Sequence, residues 1–214
     1  VSAWLDLVLV LLILTNLRLL GSSRLQACIY TVAAQAVLLG ILPLLAQGGG
    51  LTLRVLLVAA ASTTVKAIVL PWLLRRAVRE VDVRREVEPL VGFTSSLLAG
   101  VALLGVAIHV AGRLPLPGPD SSRFLTPVAL FTMMVGLFLI VSRVKALMQV
   151  IGYLAMENGI YAFGMAFAVS EPLLIEAGIL LDVFVAVFVM GIMIHHINRE
   201  FDHIDTDRLS ALKD

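Results

Sequence analysis

Charge is what this chain lacks most. Of its 214 residues only 14% are charged, while 60% are apolar; a soluble globular domain averages about 25% charged. The net charge of +1 gives no electrostatic case for nucleic acid. Cys28 is the one cysteine, so neither an internal disulfide nor a cysteine-held metal or cluster site can form. The first apolar run has no basic leader and no small-residue cleavage site, and is expected to be a retained helix, not a signal peptide. Phosphate-binding glycine loops, nucleophile elbows, zinc motifs and haem or cluster ligand patterns are all missing. The expectation is a chain that does no catalysis itself and binds no cofactor beyond structural lipids.

What the chain has is long apolar runs, and a mean hydropathy of +1.01. They cover roughly 3–20, 25–46, 51–74, 91–111, 126–148, 150–169 and 173–197, and about 20 such residues suffice to cross a bilayer as a helix. The breaks are clusters of glycine, proline and charge: Gly21-Ser22-Ser23-Arg24, Gln47-Gly48-Gly49-Gly50, the arginine-rich 75–89, the proline-rich 115–120, Arg143-Val144-Lys145 and Ser170-Glu171-Pro172. At the fifth of these, Arg143 and Lys145 can also belong to a helix end and snorkel to the membrane surface. The expected fold is an all-α integral membrane protein of seven transmembrane helices.

Basic residues mark cytoplasmic loops. With seven crossings, Arg18, Arg24, Arg75, Arg76, Arg79, Arg84, Arg85, Arg143, Lys145, Arg199, Arg208 and Lys213 fall on one side, against Arg54, Arg113 and Arg123 on the other. That asymmetry places the N-terminus outside and the C-terminus in the cytoplasm. Two cytoplasmic stretches also match at an offset of 120 residues: Arg75-Arg76-Ala77-Val78-Arg79-Glu80-Val81-Asp82 and His195-His196-Ile197-Asn198-Arg199-Glu200-Phe201-Asp202. The layout implies two parallel three-helix modules, a topology some transporters use. Residues 1–90 form the first module with its cytoplasmic basic segment, 91–125 a linker helix and outer loop, and 126–214 the second module.

Ionisable groups in mid-membrane cost at least about 2.5–3.5 kcal/mol on insertion scales, so each is a functional candidate. Glu157 stands 12 residues from Lys145 and 13 from Ser170. Gln149, Tyr153, Glu157 and Tyr161 recur every four residues, a spacing that lines one helix face and should look towards protein or water. Asp182 reaches a similar depth one helix later, with Glu176 nearer the outer surface. Burial disfavours the charged form of a carboxylate, which suits reversible protonation, and two acids on adjacent helices suit a proton relay. Lys66, nine residues before Arg75, either pairs with an acid on a neighbouring chain or snorkels to the cytoplasmic face. Aligning the modules sets Gln35 against Glu157, so the first module has lost its acids. His109 reads as interfacial. His195 and His196 lack further ligands at metal spacing.

The segment Arg143-Val144-Lys145, then Val150-Ile151-Gly152-Tyr153-Leu154-Ala155-Met156-Glu157-Asn158, a helix with a central acid and the tail Ala211-Leu212-Lys213-Asp214 resembles two small three-helix proteins. These are the K subunit of respiratory complex I and the C subunit of multisubunit sodium/proton antiporters. Glu157 matches the glutamate of that family's second helix. Asp182 stands near the glutamate of its third, one carbon shorter and farther from the basic exit. The whole chain, with Met156-Glu157-Asn158-Gly159, resembles the hydrogenase-4 component E family of formate-hydrogenlyase-type, group 4 nickel–iron hydrogenase complexes. The resemblance implies an accessory, non-enzymatic membrane subunit. Its expected partners are antiporter-like membrane subunits, a membrane anchor subunit and a peripheral hydrogenase arm carrying the nickel–iron centre and iron–sulfur clusters. Proton-transfer residues would be Glu157, Asp182, Lys66, Glu176, Tyr153 and Tyr161. A subunit of a cation/proton antiporter without a redox arm, and a scaffold between antiporter-like subunits, are the alternatives.

Overall fold

The computed structural model describes residues 2–46, 60, 63–80, 90–114 and 124–167, with positions 184, 187, 190 and 191. Its elements are all helical: α1 (Ser2–Gly21), α2 (Leu25–Ala46), a π-helical turn π1 (Val65–Val69) running into α3 (Leu70–Glu80), α4 (Phe93–Ala111), α5 (Leu125–Ser142) and α6 (Ala146–Phe167). Among the described residues, four stretches are long and apolar enough to cross a membrane: Ala3–Gly21, Leu25–Pro43, Phe93–Ala111 and Leu125–Ser142. At 1.5 Å per residue, the 20 residues of α1 rise about 30 Å, the thickness of a hydrocarbon core. Residues 51–59 and 61–62 of the third expected run, the seventh run apart from positions 184, 187, 190 and 191, and the tail lie outside the described residues.

The third helix passes the expected boundary at Arg75 and continues to Glu80. Leu70, Leu73, Leu74, Ala77 and Val78 are all buried and fall at i, i+3, i+4, i+7 and i+8, a stripe that holds a helix against a core. Arg76 and Arg79 stay exposed, so the arginines decorate a helix instead of ending one. The π-turn just before it has a local cause. Pro71 offers no N–H and its ring crowds the carbonyl four residues back; one residue earlier, the Leu70 N–H reaches five back, to the Val65 carbonyl.

The bundle is centred on α6. From Val150 to Gly159 every residue of that helix is buried except the half-buried Tyr153 and Met156. It lies closest to α5, and glycines make this possible. A methyl added to Gly136 of α5 would run into the backbone at Met156. One added to Gly159 of α6 would lie 2.5 Å from the Met133 nitrogen and 3.0 Å from the Ala129 carbonyl oxygen. Small residues that let helix backbones approach are the usual basis of packing inside a bilayer, where lipid is as apolar as leucine. Outward-facing Leu7, Val10 and Leu14 of α1, Leu98, Val101 and Ile108 of α4, and Leu137 and Val141 of α5 are exposed, the surface that lipid would cover.

At one end of the bundle the break between α5 and α6 turns inward. Arg143 is 1% exposed. Its guanidinium donates to the Leu20 carbonyl (2.9 Å), the Val91 carbonyl (3.3 Å) and Ser96 Oγ (3.4 Å) and lies 5.2 Å from the Phe93 ring centroid. The snorkelling expected for Arg143 is therefore not found. The free carbonyls at the end of α1, which need donors, and the start of α4 give the arginine better partners than headgroup water. Burial pulls the guanidinium below its ordinary value, yet arginine does not deprotonate in proteins, so this junction holds a fixed cation.

Gly136→Val is expected to push α5 off α6 and to cost about 1–3 kcal/mol, as overpacking does. Gly105→Val, where an added Cβ meets nothing within 4 Å, is the matched control. Thermal unfolding in mild detergent should separate the two; equal melting temperatures would show that the close approach carries no stability.

Candidate functional site

Two polar constellations occupy the bundle interior. The first is neutral. Asn16 of α1 donates to Thr132 Oγ1 of α5 (2.8 Å), and Gln35 of α2 donates to Asn16 Oδ1 (2.9 Å) and Thr15 Oγ1 (3.2 Å). Thr132 passes its own proton to the Val128 carbonyl. Asn16 and Gln35 are fully buried. Hydrogen bonds of this kind join helices where water is absent, each contributing roughly 0.6–2 kcal/mol.

The second constellation is charged. Lys66 Nζ lies 2.9 Å from Glu157 Oε1, with the lysine side chain 10% exposed and the glutamate 3%. Lys66 is the second residue of the π-turn, and π-turns frequently sit at functional sites. Glu157 is the twelfth of the 22 residues of α6, half-way along it. Tyr161, one turn on, presents its ring 5.8 Å from Lys66 Nζ. Among the described residues, Glu157 Oε2 and Asn158 Nδ2 have no hydrogen-bond partner.

The expected residues thus fall into three groups. Lys66, Glu157 and Tyr161 come together. Tyr153 is half-buried against the apolar core and shares the α6 face with Glu157 and Tyr161. Gln149, at the head of that stripe, is exposed and donates to the Arg143 carbonyl (3.3 Å). Asp182 and Glu176 lie outside the described residues. For Lys66 the structure supplies a partner within the chain itself. Neither a neighbouring chain's acid nor the membrane surface is needed, because the π-turn sets the lysine against α6. His109 is exposed near the end of α4, as an interfacial residue would be. No group of three His, Cys, Asp or Glu among the described residues could hold a metal. Sequence reasoning passed over Asn16, Thr132 and the burial of Arg143. The first two could have been found as polar residues inside apolar runs; Arg143 carried no such signal.

A bundle of apolar helices that buries a lysine–carboxylate pair half-way along its central helix is a multi-pass membrane protein. The chain is 32% identical over 204 residues to the uncharacterized protein Rv0085 of Mycobacterium tuberculosis, covering 95% of this chain and 93% of that protein; it belongs to the same family. It is also homologous to hydrogenase-4 component E of Escherichia coli K12 and of Shigella flexneri, 29% identical to each over 160 residues, 75% of this chain and 74% of theirs. No family model matches the chain, and no solved structure matches it.

Removing one member of a buried ion pair leaves an uncompensated charge, at a cost of about 3–5 kcal/mol, whereas replacing both with apolar groups is often neutral. Lys66→Met alone is expected to lower the unfolding temperature in detergent strongly, and Lys66→Met with Glu157→Leu to recover most of the loss. Strictly additive losses would mean that the two side chains are not coupled.

Proposed function

We propose that the chain is a non-catalytic membrane subunit of a hydrogenase-type complex, and that its Lys66–Glu157 pair carries protons within the membrane. The observation that carries this is the pair itself: a 2.9 Å lysine–glutamate contact buried at the middle of the central helix. A charge pair in low dielectric is costly to build and is often no better for stability than leucine, and ionisable groups at this depth mark ion pathways by default. The homology to hydrogenase-4 component E supports the choice of complex.

In this account a proton reaching Glu157 neutralises the carboxylate and releases Lys66; its departure restores the pair. The lysine moves between the acid and the Tyr161 ring beside it. Tyr161 and Tyr153 flank the site on the same face of α6. Asp182 and Glu176 continue the path on the seventh of seven helices. The helices form two parallel three-helix modules, residues 1–90 and 126–214, joined by the linker helix in 91–125, and the second module has the layout of the complex I K subunit. The N-terminus lies outside and the C-terminus in the cytoplasm of a prokaryotic inner membrane. Antiporter-like subunits and a membrane anchor subunit surround the chain. The peripheral arm supplies the redox chemistry with its nickel–iron centre and iron–sulfur clusters, and this chain holds no redox group.

Glu157→Gln keeps an acceptor for Lys66 and the shape of the side chain while abolishing protonation. The variant complex is expected to assemble and to lose most of its proton pumping in reconstituted vesicles, read with a pH-sensitive dye against hydrogenase turnover. Unchanged pumping would reduce the chain to a scaffold, and sodium-dependent transport without hydrogenase activity would make it an antiporter subunit.

A further inference from the structure

The surroundings of the ion pair differ on its two sides. Towards the end of the bundle that carries Arg143, the helices around Glu157 are closed by Leu70, Leu73, Leu74, Ile151 and Leu154, all buried in one apolar cluster. Towards the opposite end, where α2 stops at Ala46 and α6 at Phe167, there is a pocket of about 10 Å³. That is the space one water molecule needs, provided it finds two to four polar partners. The pocket has them: Lys66, Asn158, Thr63 and Tyr161 line it. Its remaining wall is α2, at Ala36, Leu39 and Gly40.

That wall packs tightly against Thr63. Gly40 faces Thr63, and a methyl at position 40 would collide with the Thr63 hydroxyl. Three residues on, Pro43 lies inside α2 and offers no N–H to the carbonyl of Leu39, a residue of the pocket wall. The amide nitrogen of Asn158, itself 2% exposed, lacks a partner among the described residues. Every one of these features lies on the Ala46/Phe167 side of Glu157.

We infer that this pocket is a water site and the port through which Lys66 and Glu157 exchange protons with one side of the membrane only, the side on which α2 and α6 end. The inference rests on the proton-carrying reading of the pair but adds an entrance, a side and a doorway residue, Gly40. Water in the pocket hydrogen-bonds to Lys66 and Asn158, and the apolar cluster beyond keeps it from crossing. A larger residue at position 40 collides with Thr63 and takes up the space of the pocket.

Silver ion tests this, being small, membrane-impermeant and reactive with thiolates, which form only where water reaches the thiol. Thr63→Cys and Ala36→Cys are made separately in the full chain within its complex. Val37→Cys, on an exposed apolar face of α2, is the comparator, and the buried Cys28 gives the background. Silver is applied to right-side-out and inverted vesicles, and protection from later alkylation is read by mass spectrometry. The two pocket cysteines are expected to react at least about tenfold faster than Val37→Cys, from the Ala46/Phe167 face alone, and Gly40→Leu should slow Thr63→Cys. Reaction at the Val37→Cys rate, or equally from both faces, would overturn the port. Labelling does not read pumping: a sealed pocket removes the port and leaves the pair, whereas intact pumping in Glu157→Gln removes the proton-carrying reading, and the port with it, and leaves only a water site open to one side.

Discussion

A charge withdrawn from water must be matched, and the requirement is most severe inside a bilayer, where no solvent can compensate it. Here the match is Lys66 with Glu157, and much of the local structure follows from bringing them together. Glu157 has to sit on a helix shielded from lipid, and α6 is that helix, buried on nearly all sides through its middle. Lys66 has to approach from a separate helix, and the turn carrying it is π-helical, in register with Pro71 next along the chain. The two features that look least regular, a wide turn and a proline, are found where the charged partner is delivered.

Shielding α6 needs close neighbours. Gly136, Gly152 and Gly159 let α5 and α6 approach until backbone meets backbone, and this leaves α5 to carry the contact with α1 through Thr132 and Asn16. The neutral Asn16–Gln35–Thr132 network holds α1, α2 and α5 together without any charge, and α2 also supplies a wall of the pocket beside the ion pair. Arg143 fixes the far end by binding the carbonyl terminus of α1 and the entry to α4. The Lys66–Glu157 pair is thus set beside a neutral network on α1, α2 and α5 and a junction that Arg143 makes permanently cationic.

Much of this could be read from the residues, for physical reasons. Apolar runs set the ends of α1, α2, α4 and α6 to within a few residues, because glycine, proline and charge terminate helices in predictable ways. Glu157 stood out because an acid in an apolar run is rare, and its depth followed from counting. The end of the third helix was set too early, at Arg75, because arginines read as a break in hydropathy when they lie on the outer face of an amphipathic helix. The partner of Lys66 was not legible: a separation of 91 residues along the chain leaves no trace in spacing, and the π-turn that aims the lysine depends on packing around Pro71. Arg143 failed similarly, since a snorkelling arginine and one folded inward onto carbonyls have the same local sequence. Asp182 and Glu176 lie outside the described residues.

The account rests on Lys66 and Glu157 meeting inside a single chain. The chain has three lysines, Lys66, Lys145 and Lys213, so nitrogen-15 labelling of lysine with carbon-13 labelling of the glutamate carboxyl makes a solid-state NMR distance measurement in lipid assignable. The account predicts a Lys66 Nζ to Glu157 carboxyl separation within salt-bridge range, about 4 Å, that persists when labelled chains are diluted into unlabelled ones. A contact that disappears on dilution, or a Lys66 whose carboxyl neighbour belongs to another subunit, would contradict it.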